Sequence, residues 1–296
     1  MSKYRDPQNE NNKHVCSISF NNVRVKRQSR FHNRGSNGIG AKVIEFLLEE
    51  NVKYVANLDI AENQGIELQN KLNEKYGAEK VKFIKGDVTN DDDLHAAYDI
   101  ILKEHGRPDV VINNAALMND KREIYKKEIE INVTALITNT IKAMDVMRKD
   151  EGGNGGVIMN ISSVAAFLQD SPYPIYFATK SAVLQFSNCV GLPDYYDRSG
   201  VRVLTMCFGA TDTTLLKKEN LGTFDKRIEE IMMDSLNSYP YQKIESAARG
   251  LIDALKQGES GSTWLSIADK PVMNVTETVQ KAYGLLTNLV MEGEKR

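Results

Sequence analysis

Residues 37–60 read NGIGAKVIEFLLEENVKYVANLDI, and this stretch decides the fold. Its Gly-Ile-Gly turn leads into an amphipathic segment, which predicts a helix over residues 39–50. The apolar run that follows predicts a strand over residues 54–60, with the acidic Asp59 near its end. A helix that leads directly into an apolar strand is one step of a parallel sheet built from crossover units.

The same alternation continues along the chain. Apolar runs that fit strands are found at residues 54–60, 81–88, 110–116, 156–162 and 201–209. Helical patterns lie around them, at residues 39–50, 61–76, 91–105, 123–149 and 176–191. Strands that alternate with helices of about ten or more residues predict a single α/β domain. Its core is expected to be a doubly wound parallel sheet of the Rossmann type, with helices on both faces.

Composition and charge limit the functions that the chain can have. A net charge of -2 over 296 residues gives no electrostatic basis for a nucleic-acid partner or a charged membrane surface. No stretch approaches the roughly 20 apolar residues that a membrane span needs. Three cysteines without a CxxC pair predict free thiols in a reducing compartment, here the cytoplasm, and no metal site is expected.

The N-terminal residues 1–34 differ from the rest of the chain. Their Lys and Arg side chains far outnumber the two acidic ones, Asp6 and Glu10, and asparagine is frequent. Such a composition is typical of a disordered arm. A mitochondrial presequence and a nucleic-acid-binding arm are the other interpretations that these residues leave open.

Polar residues follow each of the predicted strands. They are Asp59, Asp87, Asn113 and Asn114, Ser162 and Ser163, and residues 209–214. Ligands of open parallel sheets bind at the carboxyl ends of the strands. Each of these residue types is also a common turn former, so one alone carries little weight. Together they predict a ligand site along one edge of the sheet.

A serine, a tyrosine and a lysine form the strongest candidate for chemistry. Tyr176 and Lys180 are one helical turn apart, so both side chains project from the same face of a helix. Ser163 ends the preceding strand, from which its hydroxyl reaches the same point. Tyrosine, with a pKa of about 10, is a poor base, and a neighbouring ammonium lowers that pKa by favouring the phenolate. The trio predicts acid–base chemistry, and a surface Tyr–Lys pair without function is the alternative.

Further motifs make the chain resemble the short-chain dehydrogenase/reductase family over about residues 34–270. The family's Asn-Asn-Ala-Gly element is present as residues 113–116 with alanine in the last place, and its Pro-Gly turn as Phe208 and Gly209. The family's catalytic Asn, Ser, Tyr and Lys match Asn132, Ser163, Tyr176 and Lys180.

This resemblance implies an oxidoreductase that interconverts a secondary alcohol and a ketone with a nicotinamide cofactor. In that chemistry Tyr176 is the acid–base group, Lys180 supports it and holds the ribose, Ser163 positions the substrate oxygen, and Asn132 belongs to a water relay. The segment CVGLPDYYDRSGVRVLTMCFG is similar to the insect alcohol dehydrogenase and 15-hydroxyprostaglandin dehydrogenase-like group. We therefore expect a small apolar alcohol or ketone as substrate, and a homodimer or homotetramer.

The expected cofactor is NAD. Asp59 follows Gly40 by about 20 residues, where an acidic side chain accepts a hydrogen bond from the ribose 2′-hydroxyl and repels the 2′-phosphate of NADP. The resemblance assigns these residues to cofactor binding: Gly35, Asn37, Gly38, Ile39, Gly40, Asp59, Asp87, Val88, Asn114, Ala115, Tyr176, Lys180, Gly209, Thr211 and Thr213.

Three segments are predicted along the chain. Residues 1–33 form an atypical or disordered N-terminal segment, residues 34–275 the dinucleotide-binding catalytic domain, and residues 276–296 a C-terminal helix and tail. Within the domain, residues 214–236 form either a lid over an apolar pocket or ordinary core. The apolar side chains of that segment are Leu215, Leu216, Phe224, Ile228, Ile231 and Met232. The C-terminal segment carries a helical apolar stripe over residues 275–291 that needs a partner surface.

One part of the chain departs from the family pattern. Arg34 stands where the cofactor loop has its first glycine, and arginine adopts positive φ only with strain. The residues expected to form a buried first strand read KRQSRFH and carry three cations. Either HVCSISF or NNVRV supplies this strand, or the sheet lacks its middle. The competing hypothesis is therefore a cofactor-impaired, inactive relative that acts as a binding partner.

Overall fold

The computed structural model describes residues 38–292. Its strands are β1 (Val55–Asp59), β2 (Val81–Lys85), β3 (Val110–Asn113), β4 (Gly156–Ser163), β5 (Val201–Phe208), β6 (Thr263–Ser266) and β7 (Met273–Asn274). Its α-helices are α1 (Ile39–Glu49), α2 (Glu62–Tyr76), α3 (Asp91–His105), α4 (Tyr125–Ile129), α5 (Leu136–Met147), α6 (Pro174–Val190), α7 (Pro193–Ser199), α8 (Lys226–Glu229), α9 (Met232–Ser238), α10 (Ile244–Gln257) and α11 (Thr276–Glu292). A π-helical segment, Glu130–Ala135, joins α4 to α5. Short 3-10 turns occur at Lys149–Glu151, Val164–Ala166, Thr214–Leu216 and Lys218–Asn220.

The strands form a mostly parallel sheet in two parts. β1 pairs with β2, and β3 to β6 pair in chain order, with β7 antiparallel at the edge. Within residues 38–292, no strand pairs with the facing edges of β1 and β3. The candidate first strands HVCSISF, NNVRV and KRQSRFH lie outside the described residues, as do Gly35, Asn37 and Arg34. The predicted parallel α/β fold is confirmed.

Helices cover both faces of the sheet. On one face α1, α2 and α10 pack apolar side chains such as Ile44 and Leu72 against the strands. On the other face α3 and α5 contribute side chains such as Ile101 and Met147. All four of these side chains are buried, and each contributes about 1.5–3 kcal/mol to stability by leaving water. The two cores hold the carboxyl ends of the strands in a fixed arrangement.

The observed helices differ from the predicted ones at two places. The single helix predicted over residues 123–149 is divided into α4, the π-helical segment and α5. The wider turn contains Asn132, whose side chain bonds to the backbone of Leu117, and π turns often mark functional sites. Helix α6 begins at Pro174, before the predicted start at residue 176. Proline favours the first helical position because the N–H it lacks has no partner there.

The C-terminal part holds elements that the sequence patterns predict only in part. β6 and β7 have 4 and 2 residues, too short to give a pattern of their own. The predicted apolar stripe lies on α11, which contacts β6 of the same chain. Val279 is buried there, whereas Leu286 and Val290 are 59% and 72% exposed. The partner surface is thus found for the first turns of α11 only.

Candidate active site

Helix α6 carries Tyr176 and Lys180, and a buried acid fixes its start. Asp120, in the loop after β3, accepts hydrogen bonds from the backbone N–H groups of Ile175 at 2.7 Å and Tyr176 at 3.1 Å. The first turn of a helix leaves such groups without partners in the helix, and its positive end favours a negative charge. Asp120 therefore sets the position of the first turn of α6.

The structure brings Ser163, Tyr176 and Lys180 together. Lys180 Nζ lies 5.6 Å from the centre of the Tyr176 ring and donates a hydrogen bond to the carbonyl oxygen of Ile161 at 3.1 Å. The Ser163 hydroxyl, at the end of β4, interacts with the Tyr176 hydroxyl and donates to the carbonyl oxygen of Phe208 at 3.3 Å. All three members of the trio are buried.

Burial controls the protonation of this trio. It raises the pKa of Tyr176 above its ordinary value, and the hydrogen bond with Ser163 offsets only part of the effect. It lowers the pKa of Lys180 to about 8. The spacing of Tyr176 and Lys180 predicts the opposite direction for tyrosine, a pKa lowered by the ammonium. The structure differs because loss of water disfavours the buried phenolate more than the hydrogen bond with Ser163 favours it, so at neutral pH the phenol keeps its proton.

Asn132 joins the loop after β3 to α6. Its Oδ1 accepts from the N–H of Leu117 and its Nδ2 donates to the carbonyl oxygen of Leu117, both at 2.8 Å. Nδ2 also donates to the hydroxyl of Thr179 at 3.1 Å. The side chain is thus used to hold two walls of the site in register. Its role in a water relay stays a prediction.

A buried pair of acids behind α6 is absent from the sequence motifs. Glu128 and Asp120 are fully buried, and the Glu128 carboxyl interacts with Asp120 without reaching good hydrogen-bond geometry. Burial, together with the charge of Asp120, raises the pKa of Glu128 to about 9. Burial also raises the pKa of Asp120, against the opposing effect of the two helix N–H groups. The sequence signal for this pair is weak: Glu128 precedes Asn132 by one helical turn.

The amino end of α1 begins with a glycine in a left-handed conformation and has no side-chain cap among the described residues. Gly38 has φ +75°, a conformation that favours glycine, and a Cβ placed there would lie 3.5 Å from Cγ2 of Thr213. No side chain of the described residues caps α1. The backbone N–H groups of Ile39 and Gly40 therefore point to where an anion binds at a helix start.

Asp59 has one buried oxygen without a partner. Its Oδ1 accepts from the N–H of Ala61 at 2.9 Å, and its Oδ2 makes no hydrogen bond to the described residues. Burial raises the pKa of Asp59 to about 7. Buried polar atoms are nearly always paired in a complete site, and ribose hydroxyls are donors. This end of β1 therefore fits the ribose of a dinucleotide.

The remaining predicted cofactor residues have different surroundings. Asp87 accepts from the N–H of Thr89 at 2.9 Å and from its hydroxyl at 2.7 Å, as a turn former does. Val88 and Ala115 line a small cavity beside the π-helical segment. The others lie on the main cleft, which is lined by Ile39, Asn114, Tyr176, Lys180, Gly209, Thr211 and Thr213.

A cleft of about 830 Å³, including its open mouth, lies over the trio. Ser163, Tyr176 and Lys180 contribute polar groups to its lining. Most of the remaining wall is apolar and comes from Met118, Leu168, Phe177, Leu215, Leu216 and Leu236. A mainly apolar cleft with a few polar groups is typical of a site for a small organic molecule.

Residues 214–236 take both of the roles that the sequence leaves open. Leu215 and Leu216 line the cleft, as in a lid. Met232 is buried in the adjoining apolar core. Phe224 and Ile231 belong to neither, since they are 41% and 47% exposed.

Comparisons with known proteins identify the family. The family model of the short chain dehydrogenases matches residues 35–223. The chain belongs to the short-chain dehydrogenase family. It is 31% identical to 15-hydroxyprostaglandin dehydrogenase (NAD(+)) of Homo sapiens, over 74% of this chain and 82% of that protein. It is 32% identical to alcohol dehydrogenase 1 of Ceratitis capitata, over 78% of this chain and 91% of that protein.

Family membership confirms the resemblance on which the sequence interpretation rests. This short-chain dehydrogenase is an oxidoreductase that acts on CH–OH donors with a nicotinamide cofactor. The roles of the individual site residues stay predictions. In the part of the chain that the structure describes, no helix is both long enough and apolar enough to cross a membrane.

Proposed function

We propose that this short-chain dehydrogenase interconverts a secondary alcohol and a ketone with NAD as its cofactor. The observation that carries the proposal is the convergence of Ser163, Tyr176 and Lys180 in the lining of a mainly apolar cleft. The names of the two relatives above, a 15-hydroxyprostaglandin dehydrogenase and an alcohol dehydrogenase, support the same class of reaction.

The trio supplies the proton transfer. With a ketone in the cleft, the Ser163 hydroxyl donates a hydrogen bond to the carbonyl oxygen, and Tyr176 passes its proton to that oxygen. The positive charge of Lys180 stabilises the phenolate that remains. Oxidation of an alcohol follows the same steps in reverse. When bound, NAD supplies the hydride exchange, which no side chain can perform.

Asp59 supports NAD over NADP. Its unpaired Oδ2 can accept a hydrogen bond from a ribose hydroxyl. Hydrogen bonds from ribose hydroxyls favour the ionised carboxylate, whereas burial favours the protonated form. In NADP, a 2′-phosphate replaces the ribose 2′-hydroxyl. It would place negative charge beside the Asp59 carboxylate and would remove the hydroxyl that donates to it. We therefore expect NAD to bind more tightly than NADP.

Turnover tests the proposal directly. The full-length chain is mixed with apolar secondary alcohols and NAD, or with the matching ketones and NADH, and NADH absorbance is followed. We expect turnover in both directions and a higher kcat/KM with NAD than with NADP. If a preparation that unfolds cooperatively converts none of these substrates with either cofactor, the proposal fails.

A cofactor-impaired binding protein is the second candidate function. Two observations favour it: Arg34 replaces the loop glycine, and the facing edges of β1 and β3 are unpaired within residues 38–292. Titration calorimetry with NAD separates the two candidates. Saturable binding supports the enzyme, whereas a folded chain that binds no NAD supports the binding protein.

The predicted assembly of the chain rests on the family resemblance, and its predicted location rests on the cysteines. A homodimer or homotetramer in the cytoplasm stays a prediction. Sedimentation analysis of the purified chain tests the first part, and microscopy of the tagged chain tests the second.

A further inference from the structure

We propose that Asp170 selects substrates in the cleft, so that the enzyme prefers uncharged apolar alcohols and discriminates against alcohols that carry a carboxylate. This inference rests on the proposed function of the same cleft. It names the class of alcohol that the cleft accepts.

Asp170 lies in the loop after β4 and lines the cleft beside Leu168 and Tyr173. Its Oδ2 accepts hydrogen bonds from the hydroxyl of Ser235 and, at 3.1 Å, from the hydroxyl of Tyr239. Ser235 belongs to α9 and Tyr239 follows that helix, so the carboxylate is held between two walls of the cleft. Within residues 38–292, Oδ1 makes no hydrogen bond, so it is able to accept one from a ligand.

The charge in the cleft is unequally distributed. Among the described residues that line it, Asp170 and Lys180 are the charged ones. Lys180 belongs to the trio, is 1% exposed, and donates to the carbonyl oxygen of Ile161. The described lining holds no arginine and no second lysine that could pair with a substrate carboxylate.

This distribution sets the preference for substrates. A carboxylate on the substrate loses water when it enters an apolar cleft, and this costs free energy that only a cation or several donors can offset. Asp170 adds repulsion between like charges, which a protein surface screens only in part. A neutral amide or hydroxyl meets no such penalty, and its N–H or O–H can donate to Oδ1. We expect at least about tenfold discrimination in kcat/KM.

The test uses pairs of secondary alcohols that differ only at the far end of an apolar chain. One member carries a primary amide and the other a carboxylate, at three chain lengths. Turnover with NAD is measured for both. We expect the amides to have the higher kcat/KM, with the largest ratio at the length that reaches Asp170.

Matched variants assign the effect to one side chain. Asp170→Asn is expected to reduce the amide-to-carboxylate ratio at least about fivefold while amide turnover persists. Asp234→Asn removes the same charge from an exposed position on α9 and is expected to leave the ratio unchanged. Tyr239→Phe removes one tether but keeps the charge of Asp170, so the ratio is expected to persist.

The outcomes separate this inference from the proposed function. If neither member of any pair turns over, the proposed function fails. If carboxylates turn over as well as amides in the wild type, or if Asp170→Asn slows both members equally, Asp170 only tethers α9 and the inference is overturned.

Discussion

The side chains proposed for catalysis and those along β1 differ in how completely they are hydrogen-bonded, although Glu128 and Tyr173, near α6, also keep buried atoms without partners among the described residues. Around α6, Asn132 and Lys180 find hydrogen-bond partners in the surrounding chain. Along β1, Asn57 keeps two buried polar atoms and Asp59 one without partners among the described residues. Unpaired buried polar atoms are costly, and a bound ribose would supply donors to the acceptors along β1. The side chains proposed for catalysis are thus paired within the chain, whereas those along β1 are left for another group.

The largest expected effect tests the catalytic side. Tyr176→Phe removes the hydroxyl that transfers the proton, and we expect kcat to fall by about 10²–10⁴ with the fold unchanged. Tyr173→Phe is the matched control, since its buried hydroxyl in the same cleft has no partner among the described residues. Steady-state kinetics measure both variants. Equal losses of kcat in the two variants would show that the Tyr176 hydroxyl has no special role in the reaction.

The second-largest effect is expected on the free energy of unfolding, at the buried acid pair of Asp120 and Glu128. Because the folded pKa of Glu128 is raised from 4.5 to about 9, its proton stabilises the folded state fully below pH 4.5, and that stability is lost as pH rises toward 9. The neighbouring charges are those of Asp120 and Lys180. Glu128→Gln cannot ionise, so relative to the wild type it is expected to gain on the order of 3 kcal/mol between pH 5 and 8.

Denaturant unfolding across this pH range measures the difference between the two proteins. Glu123→Gln provides the control, because that side chain is exposed and is expected to give a profile parallel to the wild type. Parallel profiles for Glu128→Gln as well would show that the Glu128 carboxyl ionises normally in the folded state.

Substitution of Asp59 is expected to weaken cofactor binding. Asp59→Asn keeps the size of the side chain but weakens its acceptor, and loss of a charged hydrogen bond corresponds to about 10–100-fold weaker NAD binding. The preference for NAD over NADP is expected to narrow as well. Asp194→Asn, an exposed change on α7, serves as the control. If calorimetry shows equal NAD affinity for Asp59→Asn and the wild type, Asp59 does not bind the ribose.

The smallest effect is expected at the glycine that begins α1. Gly38→Ala forces a side chain into a backbone conformation with φ +75°, which costs about 1–3 kcal/mol, and NAD affinity is expected to fall with it. Gly284→Ala in α11 has open space around its Cβ and is expected to stabilise the chain by up to about 1 kcal/mol. Thermal unfolding compares the two. Equal melting temperatures would mean that the start of α1 adapts freely.

The sequence predicts most of the fold because its apolar residues recur with the regular spacing of strands and helices. Apolar strands that alternate with amphipathic helices have one favourable packing, and five of the observed strands follow the predicted runs. β6 and β7 escape prediction because they are short and take their shape from neighbouring strands. The division of the helix at Asn132 escapes for a different reason. The π-helical turn accompanies hydrogen bonds between Asn132 and Leu117, which are 15 residues apart, so no local pattern reveals it.

The candidate site is predicted in its residues but not in its electrostatics. Spacing places Tyr176 and Lys180 on one helix face, and the structure brings them together. The pKa of Tyr176 depends on how deeply the pair is buried, which spacing does not carry, and its direction is opposite to the one predicted. Asp120 and Glu128 lie in no family motif, and only the folded chain shows that they meet behind α6.

The cap of α6 also connects segments that are distant along the chain. Asp120 is bound on one side to the first amides of α6, and on the other its N–H donates to the carbonyl oxygen of Gly222 at 2.9 Å. Asn119 donates from Nδ2 to the carbonyl oxygen of Asn220 at 2.9 Å. The loop after β3, the first turn of α6 and residues 220–222 are thereby tied together. A substitution at Asp120 is therefore expected to disturb all three segments at once.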